Sequence, residues 1–215
     1  MKKALIVQGG WQGHEPSQVA DILAKALREN DFEVEVSDTL DSFRDLEALQ
    51  ALDLIVPEWT MGSIEREQLM PLLEAVRGGV GIAGVHGGMG DSFRQATEYQ
   101  FMVGGQWVAH PGGDGINYRV YITDHSDPIV AGLEDFDVST EQYLMHVDPG
   151  NSVLAVTMFG AVPNPVTWTK YYGKGRVFYC SLGHHADVFD QAPEILTMMT
   201  RGMLWAAESK KFAAE

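Results

Sequence analysis

Short apolar runs alternate with amphipathic segments along the first half of the chain. Three apolar runs and one alternating segment predict strands, at residues 4–8, 32–36, 52–59 and 80–85. Hydrophobic residues at helical spacing predict helices between them, beginning near Ser17 and lying at residues 43–51 and 66–79. Because strands that alternate with helices form right-handed crossovers, we predict an α/β fold with a doubly wound, mainly parallel sheet and helices on both faces.

The second half of the chain has a different pattern. Its predicted elements are a helix near 91–103, a glycine-rich loop at 104–115, strands at 118–123, 152–159 and 165–183, and a last helix at 193–207. The longest strand region folds back at the turn 172–175, which is typical of a hairpin. The pattern therefore predicts antiparallel strands in the C-terminal half and a single domain over residues 1–215.

Composition and charge exclude several classes of protein. The formal net charge of −15 and the lack of any basic block argue against a nucleic-acid partner. No run of about 18 apolar residues occurs, and the first apolar stretch is too short for a signal peptide, so we expect no membrane partner and a cytoplasmic location. The single cysteine, Cys180, lies in an apolar run and is predicted to be buried rather than reactive. A homo-oligomer stays an open expectation.

Chemically active side chains follow four of the predicted strands. They are Trp11, His14 and Glu15 after the first strand, Glu58 and Trp59 after the third, His86 after the fourth, and His184 after the last. Because ligands in open α/β sheets bind outside the carboxyl ends of the strands, we expect these side chains to line one site. His86 stands in GVHGG, at the strand-to-helix turn where many α/β enzymes expose a serine or cysteine nucleophile.

Further candidates lie outside these strand ends. His110 borders the glycine-rich loop, which suits the cover of an active site. His146 and Glu141 form a pair that suits proton transfer or metal binding. Asp91 and Arg94 are three residues apart and share one face of the predicted helix, either as a structural ion pair or as sugar-binding groups.

Two chemistries stay open for these residues. Nucleophilic catalysis is disfavoured because the elbow offers His86 and no serine, cysteine or threonine. Metal-assisted catalysis needs three histidine or carboxylate ligands, for which the candidates are His14, His86, His146 and His184. General acid/base catalysis needs only imidazole and carboxylate beside a C–H or O–H bond. No nucleotide cofactor is expected, because the glycines after the first strand do not match G-x-G-x-x-G.

Five stretches together resemble the ThuA-like, or trehalose utilisation, family. They are GGWQGHEP (9–16), GVHGGMGDSFR (84–94), GGQWVAHPGG (104–113), EQYLMHVDP (141–149) and PVTWTKYYGKGRVFYCSLGH (165–184). The resemblance implies the fold of the class I glutamine amidotransferases, in which the elbow carries a cysteine and a late strand ends in a histidine. On this comparison His86 replaces the thiol and His184 corresponds to the late histidine. Glutamine hydrolysis through a thioester is therefore not expected.

The resemblance also implies a function. Relatives are associated with the catabolism of trehalose and related disaccharides after oxidation of the sugar to a 3-keto derivative. A ketone acidifies the neighbouring C–H bonds, so a base aided by a donor or a metal would isomerise the sugar, eliminate a substituent or promote hydrolysis. The catalytic candidates are then His86, as base or metal ligand, with His14, His146, His184 and Glu141. The substrate-binding candidates are Trp11, Glu15, Glu58, Trp59, Asp91, Arg94 and His110, and Trp107 is a further indole that would either stack on a sugar or pack internally.

We therefore expect an isomerase, lyase or hydrolase of keto-sugars, with a sugar as its partner and a divalent metal such as zinc as its one candidate cofactor. Two alternatives stay open: a non-catalytic protein that senses a sugar metabolite, and an amidotransferase-like subunit that needs a partner chain. Exchange of substrate protons would favour the enzyme, and binding without turnover the sensor. One departure from the family pattern bears on the metal: Thr140 precedes Glu141 where an acidic residue is usual.

Overall fold

Five parallel strands form the half of the large sheet that carries the histidines. In sheet order in the computed structural model, which describes residues 1–213, they are β2 (Phe32–Ser37), β1 (Lys2–Gly10), β3 (Leu54–Thr60), β4 (Gly81–Val85) and β11 (Gly175–Cys180). Ala4 of β1 pairs with Val34 on one side and with Leu54 on the other. The apolar run that follows Ala4 is buried, as expected of a strand covered on both faces. The predicted parallel sheet is confirmed.

Four antiparallel strands extend the same sheet beyond β11. In order they are β10 (Val162–Tyr172), β9 (Ser152–Phe159), β6 (Ile116–Ile122) and β7 (Phe136–Thr140). A separate two-stranded ladder pairs β5 (Gly105–Ala109) with β8 (Leu144–Val147). The prediction of antiparallel strands is confirmed, but the prediction of an unpaired loop over 104–115 is wrong at its start. Residues Gly105–Ala109 gain ladder hydrogen bonds from β8, a partner 39 residues downstream that local sequence does not reveal.

Helices cover both faces of the sheet. They are α1 (Pro16–Arg28), α2 (Leu46–Ala51), α3 (Arg66–Arg77), α4 (His86–Gly90), α5 (Thr97–Val103), α6 (Val188–Gln191), α7 (Pro193–Ala206) and α8 (Ser209–Ala213). Apolar residues of α1 and α7 share one core cluster with one sheet face, and those of α2, α3 and α5 share a second cluster with the other face. Within residues 1–213, no helix is long and apolar enough to cross a membrane.

The helix predicted near 91–103 is shorter than expected. Helix α4 ends at Gly90, and α5 begins only at Thr97. Between them Ser92 forms a bridge with Met61, and Phe93 takes a left-handed backbone conformation with φ 49°. Pairing with the end of β3 therefore replaces helix in this segment. Asp91 and Arg94 consequently do not share a helix face, although they do form the predicted ion pair.

Candidate metal centre

Three histidines and one glutamate converge at the carboxyl edge of the parallel strands. His14 lies in the short turn after β1, His86 follows β4 directly, and His184 follows β11. Glu141 comes from the other half of the sheet, directly after β7. One potential ligand atom from each residue lies within 4.8 Å of those of the other three, and all four residues are buried. The expected convergence of the histidines is therefore seen, with Glu141 at its centre.

His86 is held in a fixed orientation by its backbone and its neighbours. Its φ of 45° is rare for a residue other than glycine and marks the sharp elbow between β4 and α4. The hydroxyl of Tyr179 donates to the backbone oxygen of His86 at 3.0 Å. The imidazole ring of His86 stacks on the ring of Tyr143, with ring centroids 3.9 Å apart. The imidazole is consequently preorganised, and its Nδ1 lies 2.7 Å from the backbone oxygen of Ser181.

The Ser181 contact decides which nitrogen of His86 carries the proton. A carbonyl oxygen only accepts, so Nδ1 is the N–H donor and Nε2 of the neutral ring carries a lone pair. Nε2 lies 3.2 Å from Oε2 of Glu141. A lone pair and a carboxylate oxygen repel one another at this distance unless a proton or a metal cation lies between them.

His14 approaches the same carboxylate from the turn after β1, which is two strands away from β4 in the sheet. Its Nδ1 hydrogen-bonds to the hydroxyl of Thr60 at 2.8 Å, and its Nε2 lies 3.8 Å from Oε2 of Glu141. The ring packs closely against α4, where a Cβ on Gly87 would lie 2.5 Å from His14 Nδ1. Gly87 of the elbow is thus required by the close packing of the histidine.

Two further imidazoles face Glu141 with unpaired nitrogens. His184 Nδ1 lies 3.2 Å from Oε2, and His110 Nδ1 lies 3.3 Å from Oε1. Neither nitrogen makes an aligned hydrogen bond with any described residue, although both atoms are buried. Buried polar atoms in proteins nearly always have a partner, so these two nitrogens point to a group that the polypeptide itself does not supply.

The pKa values of these groups shift in opposite directions. Burial lowers the pKa of His86 to about 3, against the raising effect of Glu141. Burial also lowers the pKa of His14, although Glu141 opposes it there too. Burial alone would raise the pKa of the Glu141 carboxyl, but its contacts with His14, His184 and His86 hold that pKa well below its usual range. Neutral imidazoles and an ionised carboxylate are the forms in which these residues bind metals.

The donor set fits zinc or a similar divalent ion. Zinc prefers histidine nitrogen and carboxylate oxygen at about 2.0–2.2 Å, and two such ligands on one tetrahedral ion lie roughly 3.3 Å apart. The three distances to Oε2 of Glu141 are 3.2 Å from His86, 3.2 Å from His184 and 3.8 Å from His14. His86 and His14 also have the outer hydrogen-bond partners, Ser181 and Thr60, that orient metal-binding histidines.

Other predicted residues surround this centre. Glu58 is buried against Gly88 of the elbow, burial raises the pKa of its carboxyl well above the usual range, and its Oε2 has no partner among residues 1–213. Glu15 accepts from the backbone N–H of Ala186 at 3.0 Å and so joins the turns after β1 and β11. Trp59 packs on Gly9 in the core. Glu58 is therefore close to the elbow, whereas Glu15 and Trp59 have structural contacts.

The rim of the site contains indoles and one cation. Trp11 is 46% exposed and packs edge-on against His14. Arg94 forms a bidentate ion pair with the buried Asp91 and lies over the ring of Trp107, 4.4 Å from its centroid. Trp11 thus contacts the histidine cluster directly, and Trp107 adjoins it through His110 and Tyr143.

His146 is not brought to the site. It is exposed on β8 and lines a separate hollow of about 400 Å³ with Phe101 and Asp148. The strand alternation of β8 explains this, since His146 and Met145 point to opposite faces and Met145 is the buried one. A groove of about 970 Å³ lies at the amino ends of the strands, and no histidine lines it.

Sequence reasoning missed two side chains of the centre. Thr60 ends β3 and holds His14, and Tyr143 lies two residues after Glu141 and stacks on His86. The signal for Thr60 was its position at the carboxyl end of a buried strand, next to Glu58 and Trp59. Tyr143 carried no comparable signal, because a tyrosine within EQYLMHVDP is equally typical of the hydrophobic core.

Replacing Thr60 with valine is expected to weaken zinc binding about 10–100-fold, because the hydrogen bond that orients His14 is lost while shape is kept. Calorimetric titration of the metal-free protein with zinc measures this. Thr197→Val, in α7 and remote from the histidines, is the matched control. Unchanged affinity in Thr60→Val would show that His14 does not bind the metal through this arrangement.

Fold and site together define a class of protein: an α/β scaffold with a large, mostly parallel sheet, whose elbow carries a histidine within a candidate metal centre. Residues 3–206 match the family described as ThuA, trehalose utilisation, and the chain belongs to that family. Membership implies a role in the utilisation of trehalose or related sugars. No curated protein matches the chain.

Solved structures support the fold. A thua-like protein from Parabacteroides merdae ATCC 43184 is 19% identical, with TM-score 0.76, covering 96% of this chain and 90% of that one. One from Bacteroides uniformis ATCC 8492 is 15% identical, with TM-score 0.79 and coverage of 97% and 92%. A protein of Salmonella typhimurium LT2 titled as cytoplasmic, STM1381, is 14% identical, with TM-score 0.70 and coverage of 98% and 99%.

Proposed function

We propose that this protein is a metal-dependent enzyme that acts on an oxidised sugar, a keto-sugar or its glycoside, by moving a proton next to the carbonyl group. The product would be an isomer, an elimination product or a hydrolysed glycoside. The observation that carries the proposal is the contact between His86 and Glu141. A nitrogen lone pair fixed by Ser181 faces a carboxylate oxygen at 3.2 Å, which a bound cation would turn from repulsion into shared coordination.

His14, His86, His184 and Glu141 would hold the ion. When bound, a divalent metal supplies Lewis-acid polarisation of a carbonyl oxygen and stabilises negative charge that develops there. The chain's own residues set the orientation of the ligands: Ser181 fixes the tautomer of His86, and Thr60 holds His14. This rigid arrangement is the preorganisation that catalysis by charge stabilisation needs.

His110 is the imidazole left to accept the substrate proton. It is half-buried, and its Nδ1 lies 3.3 Å from Oε1 of Glu141. The contacts of the other three histidines are with the second carboxylate oxygen, Oε2. Glu141 would orient His110 and stabilise its cation once it has taken the proton. The remaining rim groups, Trp11 and the pair of Asp91 with Arg94, would bind the sugar ring and its hydroxyls.

Proton NMR of a 3-keto glucoside in deuterated buffer tests this function. With the zinc-loaded protein, ring C–H signals next to the ketone are expected to exchange or give new sugar species well above the blank rate. Chelation of the metal and His86→Ala are each expected to remove this effect, because both destroy the centre. His125→Ala, at an exposed position outside the cluster, is the control and should behave as wild type.

The same experiment separates the enzyme from its main rival. Saturable binding of the keto-sugar without exchange or turnover would contradict the enzyme and support a protein that senses a sugar metabolite. Exchange that survives chelation would contradict the metal-dependent mechanism and leave metal-free acid/base catalysis by the histidines.

A further inference from the structure

One wall of the site carries hydrogen-bond donors that lack acceptors. We call it the donor wall and define it as Arg94, Trp107 and Tyr143. Arg94 lies over the indole of Trp107, and the rings of Trp107 and Tyr143 have centroids 6.2 Å apart. Tyr143 stacks on His86, so the wall adjoins the metal centre directly. Of its three polar groups, the guanidinium and the indole N–H can only donate.

Tyr143 is the member of the wall closest to the histidines. Its side chain is buried, with 2% of its surface exposed, and its hydroxyl makes no hydrogen bond within residues 1–213. A hydroxyl that donates to no residue of 1–213 is available to donate to a ligand at the site.

Arg94 is a fixed cation with unused donors. Its Nε and one terminal nitrogen donate to the two oxygens of Asp91 at 2.6 and 2.8 Å, and the other terminal nitrogen, on a side chain that is 42% exposed, is open to solvent or a ligand. The hydrogen bond to Asp91 raises the pKa of Arg94, so the guanidinium stays charged. Asp91 balances the charge of Arg94, so the pair offers donors without requiring an anionic ligand.

Trp107 adds a third unsatisfied donor. Its indole Nε1 is buried and has no acceptor in the part of the chain that the structure describes. The same ring supports Arg94 and lies 5.5 Å from the ring of His110, between centroids. Three donors without acceptors thus surround the route from the rim to Glu141.

We propose that the donor wall binds the carbonyl oxygen of an α-hydroxy ketone, the oxygen on which negative charge develops when the neighbouring C–H proton leaves. This inference rests on the proposed function and adds the basis of substrate choice. A sugar hydroxyl must also donate its own proton, and Arg94 and Trp107 offer nothing that accepts it. A ketone oxygen only accepts, so the wall favours the oxidised sugar over its parent and binds the charged intermediate more strongly still.

Binding of a matched pair of sugars tests the donor wall. Calorimetry or ligand-observed NMR compares a methyl glucoside oxidised at C3 with the non-oxidised methyl glucoside, on the zinc-loaded protein. Wild type is expected to prefer the ketone by about tenfold or more, the effect of one or two added hydrogen bonds. Tyr143→Phe and Arg94→Gln should each remove most of this preference and leave zinc affinity within about twofold, because neither side chain is in the candidate ligand set. Tyr121→Phe, an exposed tyrosine on β6, is the control.

The outcomes separate the wall from the proposed function. Equal binding of the two sugars by wild type, or no binding of either, would overturn the wall, as would a ketone preference that survives in both variants. A ketone preference that the variants lose, without C–H exchange by wild type, would keep the wall and contradict the enzyme. If Tyr143→Phe loses zinc affinity, the hydroxyl of Tyr143 serves to position the metal-binding His86. That result would overturn its proposed role as a donor to the substrate.

Discussion

Replacing Glu141 with glutamine is expected to weaken zinc binding on the order of 10²–10³-fold. Four protein ligands in structural zinc sites together contribute about 10–16 kcal/mol, so one ligand contributes about 2.5–4 kcal/mol. The carboxylate is also the shared neighbour of all three histidines, and its charge is lost in the variant. Calorimetric titration with zinc measures the change, and Glu134→Gln, on the exposed surface, is the control.

The same substitution is expected to act in the opposite direction on the metal-free protein. A glutamine N–H would donate to the lone pair of His86 Nε2, which faces the Glu141 oxygen at 3.2 Å. Repulsion between the two groups would then become a hydrogen bond, so the free energy of unfolding in chelator should equal or exceed that of wild type. Tight zinc binding by Glu141→Gln, or a large loss of stability without metal, would contradict this account of the site.

Most of the parallel half of the sheet was predictable because its strands, apart from the alternating β2, are short apolar runs. Strand β1 is buried on both faces, and so its pattern identifies it without knowledge of its partners. The same reasoning placed His14, His86 and His184 together, since each follows such a strand. The convergence of these three histidines needed no information beyond the topology of a parallel sheet.

Long-range pairing accounts for what the sequence pattern missed. Strands β5 and β8 are held by each other, so their positions depend on a ladder between distant segments. That ladder directs His146 outward on β8, although the sequence pattern predicted this histidine at the site. Tyr143, which lies just before β8, stacks on His86 instead. The turn at Phe93, likewise, forms because Met61 and Ser92 pair.

Replacing Trp168 with alanine is expected to lower the free energy of unfolding by about 3–5 kcal/mol, the usual range for a fully buried large aromatic residue. Trp168 lies on β10, and its indole donates to the backbone oxygen of Val103 at 2.9 Å. Its ring packs on Tyr179 with centroids 4.5 Å apart and closely approaches Gly105 of β5. It therefore joins the large sheet to α5 and to the small ladder that carries Trp107.

Urea unfolding in the presence of chelator measures this loss without the contribution of bound metal. Trp168→Phe keeps most of the ring and loses the hydrogen bond to Val103, so it should cost less, about 1–3 kcal/mol. Because the hydroxyl of Tyr179 holds the backbone of His86, the cavity left by Trp168→Ala should also weaken zinc binding, whereas Trp168→Phe should leave it close to wild type. Equal losses in the two variants would show that the hydrogen bond, and not the packing of the indole on Tyr179, is what supports this part of the fold.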